Sequence, residues 1–256
     1  MRWAALALLV SAAPAWACVL PWGDHVPGSL VFSETTSPFT TVWYADASDS
    51  YGHGIMGDVL DGKTLGAQTR RMASLCFAAT VSAGANHVFE DIAPRLTDVD
   101  GDGRADIVAV RSSFAKGAQL VVYTLRGDAL EILAATPYIG QRHRWLAPAA
   151  IGDLDGDGHV EIAYVDRPHL AKTLRIWRYA NGDFREVASA GGLTNHAIGD
   201  EVIHGGLRDC GQGPEIVLSN ADRTRMLAVT YDGADIAARD IGPFSPAAAV
   251  RAVACQ

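Results

Sequence analysis

The segment Asp98-Val99-Asp100-Gly101-Asp102-Gly103-Arg104-Ala105-Asp106 sets carboxylates at positions 1, 3, 5 and 9 of a short loop. The pattern returns 55 residues later as Asp153-Leu154-Asp155-Gly156-Asp157-Gly158-His159-Val160-Glu161. Carboxylates packed this closely repel one another. A hard cation removes the repulsion, and Ca²⁺ takes about six to eight oxygen ligands. Side-chain oxygens are expected from Asp98, Asp100 and Asp102, and from Asp153, Asp155 and Asp157. Arg104 and His159 would add backbone carbonyls, and Asp106 and Glu161 would close the shells. Gly101, Gly103, Gly156 and Gly158 permit the backbone angles that wrap the chain around an ion. An EF-hand closes with Glu at position 12, where this chain has Ala109 and Tyr164. Two structural Ca²⁺ sites are therefore expected, each in a loop that closes straight into an apolar strand.

The elements that hold these loops repeat with them. Asp106-Ile107-Val108-Ala109-Val110 aligns with Glu161-Ile162-Ala163-Tyr164-Val165, and Gly127-Asp128 with Gly182-Asp183. A fixed period of this size is the mark of a repeat architecture. In the second unit Ala149-Ala150-Ile151 enters the loop and Val160–Val165 leaves it. Thr173–Tyr179, an Asn181-Gly182 hairpin turn and Phe184–Ala188 follow. That predicts four antiparallel strands per unit and no helix of useful length. A worn third unit has Asp209 and Glu215 with Arg208 beside them, then Ile216-Val217-Leu218, Met226–Tyr231, an Asp232-Gly233 turn and Ala234–Asp240. With Leu207 and Gly211 where acids are needed, this loop is not expected to hold metal. Thr41–Val88 reads as a fourth, divergent unit with an Asp61-Gly62 turn. The units divide at 41–88, 89–143, 144–198 and 199–256.

Four strands in such a period is the size of one propeller blade. The expected fold is an all-β propeller of about four to five four-stranded blades with Ca²⁺-binding loops. An open arc of blades and a β-sandwich are the less favoured alternatives. An apolar fraction of 49% with 26 glycines suits a β core with many tight turns.

Asp98–Val110 and Asp153–Val165 resemble the FG-GAP (integrin-α-type) repeat, also described as VCBS-like. The resemblance is weaker at Arg208–Leu218. It implies Ca²⁺ in the acidic loops of a β-propeller, and an exported bacterial protein.

Bulk properties bound the function. Residues 1–17 read as a signal peptide: Arg2, an apolar run from Ala4 to Ala13, and Ala15-Trp16-Ala17 at the cleavage site. The run is shorter than the roughly 20 residues that span a bilayer. Ala15 stands where lipoprotein signals usually have Leu, which argues against lipid attachment at Cys18. The mature domain is 18–256, in the periplasm or outside the cell. A net charge of −8 argues against a nucleic-acid partner. Cys18, Cys76, Cys210 and Cys255 allow three pairings. Cys18–Cys76 with Cys210–Cys255 is preferred, and Cys18–Cys255 is the alternative that would tie the ends together.

No catalytic set and no organic cofactor emerges. Seven of the eight histidines, His25, His53, His87, His143, His169, His196 and His204, are scattered over presumed turns without H-x-H spacing. Arg142-His143-Arg144-Trp145 can hold an anion or a sugar ring, but a turn leading to a core Trp is favoured. Asp166-Arg167-Pro168-His169 is taken as a solvated loop. The expected function is an exported, calcium-stabilised binding or scaffold module for a protein or carbohydrate. The alternative is an extracytoplasmic hydrolase or lyase with its site on one propeller face.

Overall fold

The computed structural model describes residues 24–33, 38–57, 60–69 and 78–256. The second repeat unit shows how the sequence builds the fold. Leu146–Gly152 (β10) leads into the acidic loop, and Glu161–Asp166 (β11) leaves it. Every residue of β11 is buried, which is why Ile162-Ala163-Tyr164-Val165 is a continuous apolar run rather than an alternating one. Thr173–Ala180 (β12) and Asp183–Gly191 (β13) complete an antiparallel sheet in the order β10-β11-β12-β13. The turn between β12 and β13 is Asn181-Gly182, with φ of 55° and 86°, as a two-residue hairpin requires.

The preceding strands are β1 (Val31–Phe32), β2 (Phe39–Ser48), β3 (Asp61–Thr69), β4 (Ala79–Ser82) and β5 (His87–Phe89). Then come β6 (Arg95–Thr97), β7 (Asp106–Ser113), β8 (Gly117–Arg126) and β9 (Ala129–Ala135). They form one sheet in the order β1-β2-β3-β5-β7-β8-β9, with β4 on β3 and β6 on β7. A third sheet holds β14 (Leu193–Thr194), β15 (Gly206–Asp209), β16 (Pro214–Asn220), β17 (Arg225–Tyr231) and β18 (Ile236–Pro243). The described fold is thus all-β apart from one short helix, α1 (Pro246–Val253).

Side-chain alternation along the central strands joins the sheets into a stack. Ile107 and Ala109 of β7 face a core shared with Tyr44, Leu65 and Phe89, so the first sheet folds upon itself. Val108 and Val110 face the opposite way, against Leu146, Ile162 and Trp177. Ala163 and Val165 in turn meet Ile216, Leu218 and Val229. Val217 points away from that core, toward Ala249 and Ala252 of α1. The last sheet is therefore covered by a helix on its outer face. A β-bulge recurs between the third and fourth strands of the last three units, at Val122/Tyr123, Ile176/Trp177 and Met226/Leu227.

Two expectations fail. Asp61-Gly62 is no turn: it opens β3, paired with Ser48 and Ala47. Gly62 is there because the chain passes close to Tyr44, whose Cβ would lie 2.7 Å from a Cβ at position 62. The second miss is α1, capped by Ser245, whose hydroxyl accepts from Ala248 N at 3.1 Å, with Pro246 in the first turn. Cys210 and Cys255 form a disulfide with a Cα–Cα distance of 5.6 Å. Residues 1–17, Cys18 and Cys76 lie outside the described residues.

Candidate metal centres

The two acidic loops fold alike because their first carboxylates organise them. Asp98 accepts hydrogen bonds from Gly101 N (2.9 Å), Asp102 N (3.1 Å) and Gly103 N (2.8 Å). Asp153 does the same with Gly156 N (2.7 Å), Asp157 N (3.1 Å) and Gly158 N (2.9 Å). Each closing acid reaches back to the residue after the first: Val99 N donates to Asp106 at 3.0 Å, and Leu154 N to Glu161 at 2.9 Å. Oxygens of Asp98, Asp100 and Asp106 thereby come within 4.8 Å of one another, as do those of Asp153, Asp155 and Glu161.

Asp102 and Asp157 stand outside these groups. Their carboxylates accept from Arg104 N (2.8 Å) and His159 N (2.9 Å), so both fix the turn of the loop. The Arg104 side chain donates to Leu125 O at 3.4 Å.

What lies opposite the closing acid separates the loops. The register of β7 with β8 sets Thr124 beside Asp106. Burial pushes the Asp106 carboxyl up to about 6, against the pull of Val99 N–H and the Thr124 hydroxyl. Among the described residues no ion pair reaches Asp98, Asp100 or Asp106. Three converging carboxylates, one of them buried and without a countercharge, fit a divalent cation with oxygen ligands.

In the second loop β11 pairs with β12 so that Arg178 faces Glu161. Its guanidinium bonds Glu161 at 2.5 Å, Asp155 at 2.5 Å and Asp157 at 2.8 Å. Burial still raises the Glu161 carboxyl, while Arg178 pulls it down. This loop already holds a cation of its own, so it fits a metal less well than the first. In the third loop Arg208 and Arg239 each bond Glu215 at 2.6 Å and hold its carboxyl below the usual range against burial. Sequence reasoning set Arg208 against metal there; it missed Arg178 and Arg239, which lie 17 and 24 residues from their acids. The strand register, period 2 along each hairpin, was the signal that would have found them.

At the far ends of β10 and β11, the loops at 142–145 and 166–169 come together. Trp145 is buried, and its Nε1 donates to Glu90 O at 2.8 Å, as a core Trp should. Arg144, Trp145, Arg167 and His169 nevertheless line one cavity, joined by His53.

Residues 98–164 match the model of the FG-GAP-like repeat, which agrees with the resemblance carried by the two acidic loops. No curated protein matches the chain. Similar solved structures include exotype rhamnogalacturonan lyase YesX, at 16% identity and a TM-score of 0.41 over 86% of this chain. Rhamnogalacturonan lyase YesW is similar at 13% identity and a TM-score of 0.43 over 89% of this chain. The chain spans about half the length of each, 51% and 54%. Among the described residues no helix is long and apolar enough to cross a membrane.

Proposed function

We propose that this chain is an exported, calcium-stabilised β-propeller of about four to five blades that acts as a binding module for a protein or carbohydrate. The carrying observation is the first acidic loop, where Asp98, Asp100 and the buried Asp106 converge without a countercharge. When bound, Ca²⁺ neutralises that cluster and ties the β6–β7 loop down. Sites of the extracellular class bind at roughly 10⁻⁴–10⁻³ M, so about 1 mM Ca²⁺ stabilises the fold by roughly 0.4–1.4 kcal/mol per site. The propeller reading is supported by the first strands of three units. Residues of β6, β10 and β15 line a common opening of about 360 Å³. The disulfide and the apolar leader in the sequence support export. Loops gathered at one end, with Leu170 and Ile198 exposed, support a binding surface there.

The alternative, an extracytoplasmic hydrolase or lyase, draws on a different observation. His53 is hydrogen-bonded to Glu90, and His169 to His196 at 3.3 Å, beside the same cavity. Paired groups of this kind suit proton transfer.

The test is a thermal melt of residues 18–256 in Ca²⁺ and in chelator, with Asp100→Asn and Asp155→Asn alongside. Ca²⁺ should raise the wild-type Tm by about 1–5 °C. Asp100→Asn should remove most of that rise, and Asp155→Asn a smaller part. A wild-type Tm indifferent to Ca²⁺ removes the calcium reading. Capture of a specific glycan or envelope protein supports the binding module, whereas turnover of a substrate moves the conclusion to the enzyme.

A further inference from the structure

The cavity at the far ends of β10 and β11 has a chemistry that the calcium reading does not use. Its volume is about 240 Å³, smaller than the roughly 300–1,000 Å³ of sites for drug-sized ligands. It suits a molecule of about one ring. Four segments converge on it: 49–57, 136–145, 167–172 and 195–205.

The lining is cationic and apolar. Arg144, Arg167 and three imidazoles contribute, and no carboxylate does. The acids just behind the wall are engaged elsewhere. Glu90 accepts from His53 and Ser112. Asp166 accepts from Arg167 at 2.7 Å and from Arg175 at 3.0 Å. Arg144 is half-buried, and its side chain makes no hydrogen bond or ion pair among the described residues. A half-buried guanidinium without a partner lacks an acceptor that a ligand can supply, and its geometry favours an oxyanion.

The histidines present ring nitrogens for hydrogen bonding. His196 Nε2 lies 2.9 Å from the carbonyl oxygen of Asp200, which can only accept, so that nitrogen carries the proton. A neutral His196 then accepts at Nδ1, and His169 Nε2 donates to it at 3.3 Å. His169 Nδ1 is left as an acceptor. Burial and the neighbouring His196 lower the His169 imidazole to about 4, so the ring is uncharged at neutral pH. By the same logic His53 donates through Nδ1 to the buried Glu90, which leaves Nε2 for a ligand. His143 stacks on His53 with ring centroids 4.9 Å apart and fixes its plane. Ile55, Leu170 and Ile198 provide an apolar wall against which a ring can lie.

The geometry points to a binding site for a small hydroxylated organic anion. Its carboxylate or phosphate lies against Arg144, and its hydroxyls hydrogen-bond with His169 Nδ1 and His53 Nε2. A sugar acid and a sugar phosphate share this chemistry. The site does not depend on calcium, since it lies at the opposite ends of β10 and β11 from the acidic loop between them.

The test is isothermal titration calorimetry on the full mature chain, in Ca²⁺ and again in chelator. The probes are glucuronate, glucose 6-phosphate and neutral glucose. At least one anion should bind, with glucose at least about tenfold weaker, the worth of one charge-assisted hydrogen bond. Whichever anion binds names the source. Arg144→Gln should weaken it at least about tenfold, while Arg225→Gln, in an exposed pair with Asp240 on the last sheet, should leave it unchanged. If Arg144→Gln melts early, His169→Gln serves as the second variant and should likewise weaken binding. No binding of either anion, equal binding of glucose, or wild-type affinity in the folded variants overturns the assignment. Binding that persists in chelator keeps this result separate from the fate of the calcium reading.

Discussion

Arg178 makes the two acidic loops unequal. It supplies a positive charge to Asp155, Asp157 and Glu161, where the first loop has only the Thr124 hydroxyl beside Asp106. A guanidinium within the cluster competes with Ca²⁺ for the same lone pairs. Replacing it by Met keeps much of the stem's packing and removes the charge. Two effects are expected from Arg178→Met. Without Ca²⁺ the protein loses roughly 3 kcal/mol or more, because Glu161 is buried and left without its partner. With Ca²⁺ the second loop becomes a full site. Calorimetry should then show two comparable sites where the wild type shows one stronger than the other, and the Ca²⁺-dependent rise in Tm should grow. An unchanged Ca²⁺ isotherm would mean that the arginine and the ion do not share a locus.

At the scale of elements, much of the fold was legible because the strands carry their own signals. The exit strands β7, β11 and β16 are short apolar runs bounded by turn residues, and Asn181-Gly182 could only be a hairpin. The losses have physical causes. Asp61-Gly62 has the composition of a turn, but its glycine answers to a neighbouring chain that local sequence does not show. The helix α1 is too short for a periodic signature, and its capping residue Ser245 was its main local mark. The histidine cavity was illegible because His53 and His169 are 116 residues apart and meet only through the stacking of sheets. One staple fastens the last of these elements: Cys210–Cys255 ties the loop before β16 to the end of α1. A sequence separation of 45 implies a loss of about 4 kcal/mol in chain-entropy terms when it is removed. The Cys210→Ser, Cys255→Ser double variant should therefore melt roughly 8–16 °C lower. A shift below about 2 °C would show that α1 holds its place through Ala249 and Ala252 alone.

For the whole molecule, successive units share cores with their neighbours. In repeat proteins stability is a sum of unit and interface terms, so an ion acts most strongly where it binds. The units differ in how they neutralise the same acidic position. The first has no guanidinium beside its acids, the second has Arg178, and the third has Arg208 and Arg239. Chelation should therefore loosen the units unevenly. Hydrogen–deuterium exchange in chelator, compared with Ca²⁺, should quicken most across residues 95–113, where β6, the first loop and β7 lie. The rise should be smaller across 146–166 and least across 206–220, whose carboxylate is already paired with guanidinium. Equal quickening in all three segments would show that the sheets open together, and that the ion stabilises the molecule only as a whole. A gradient from the first unit to the third would show instead that arginine has replaced calcium step by step along one chain.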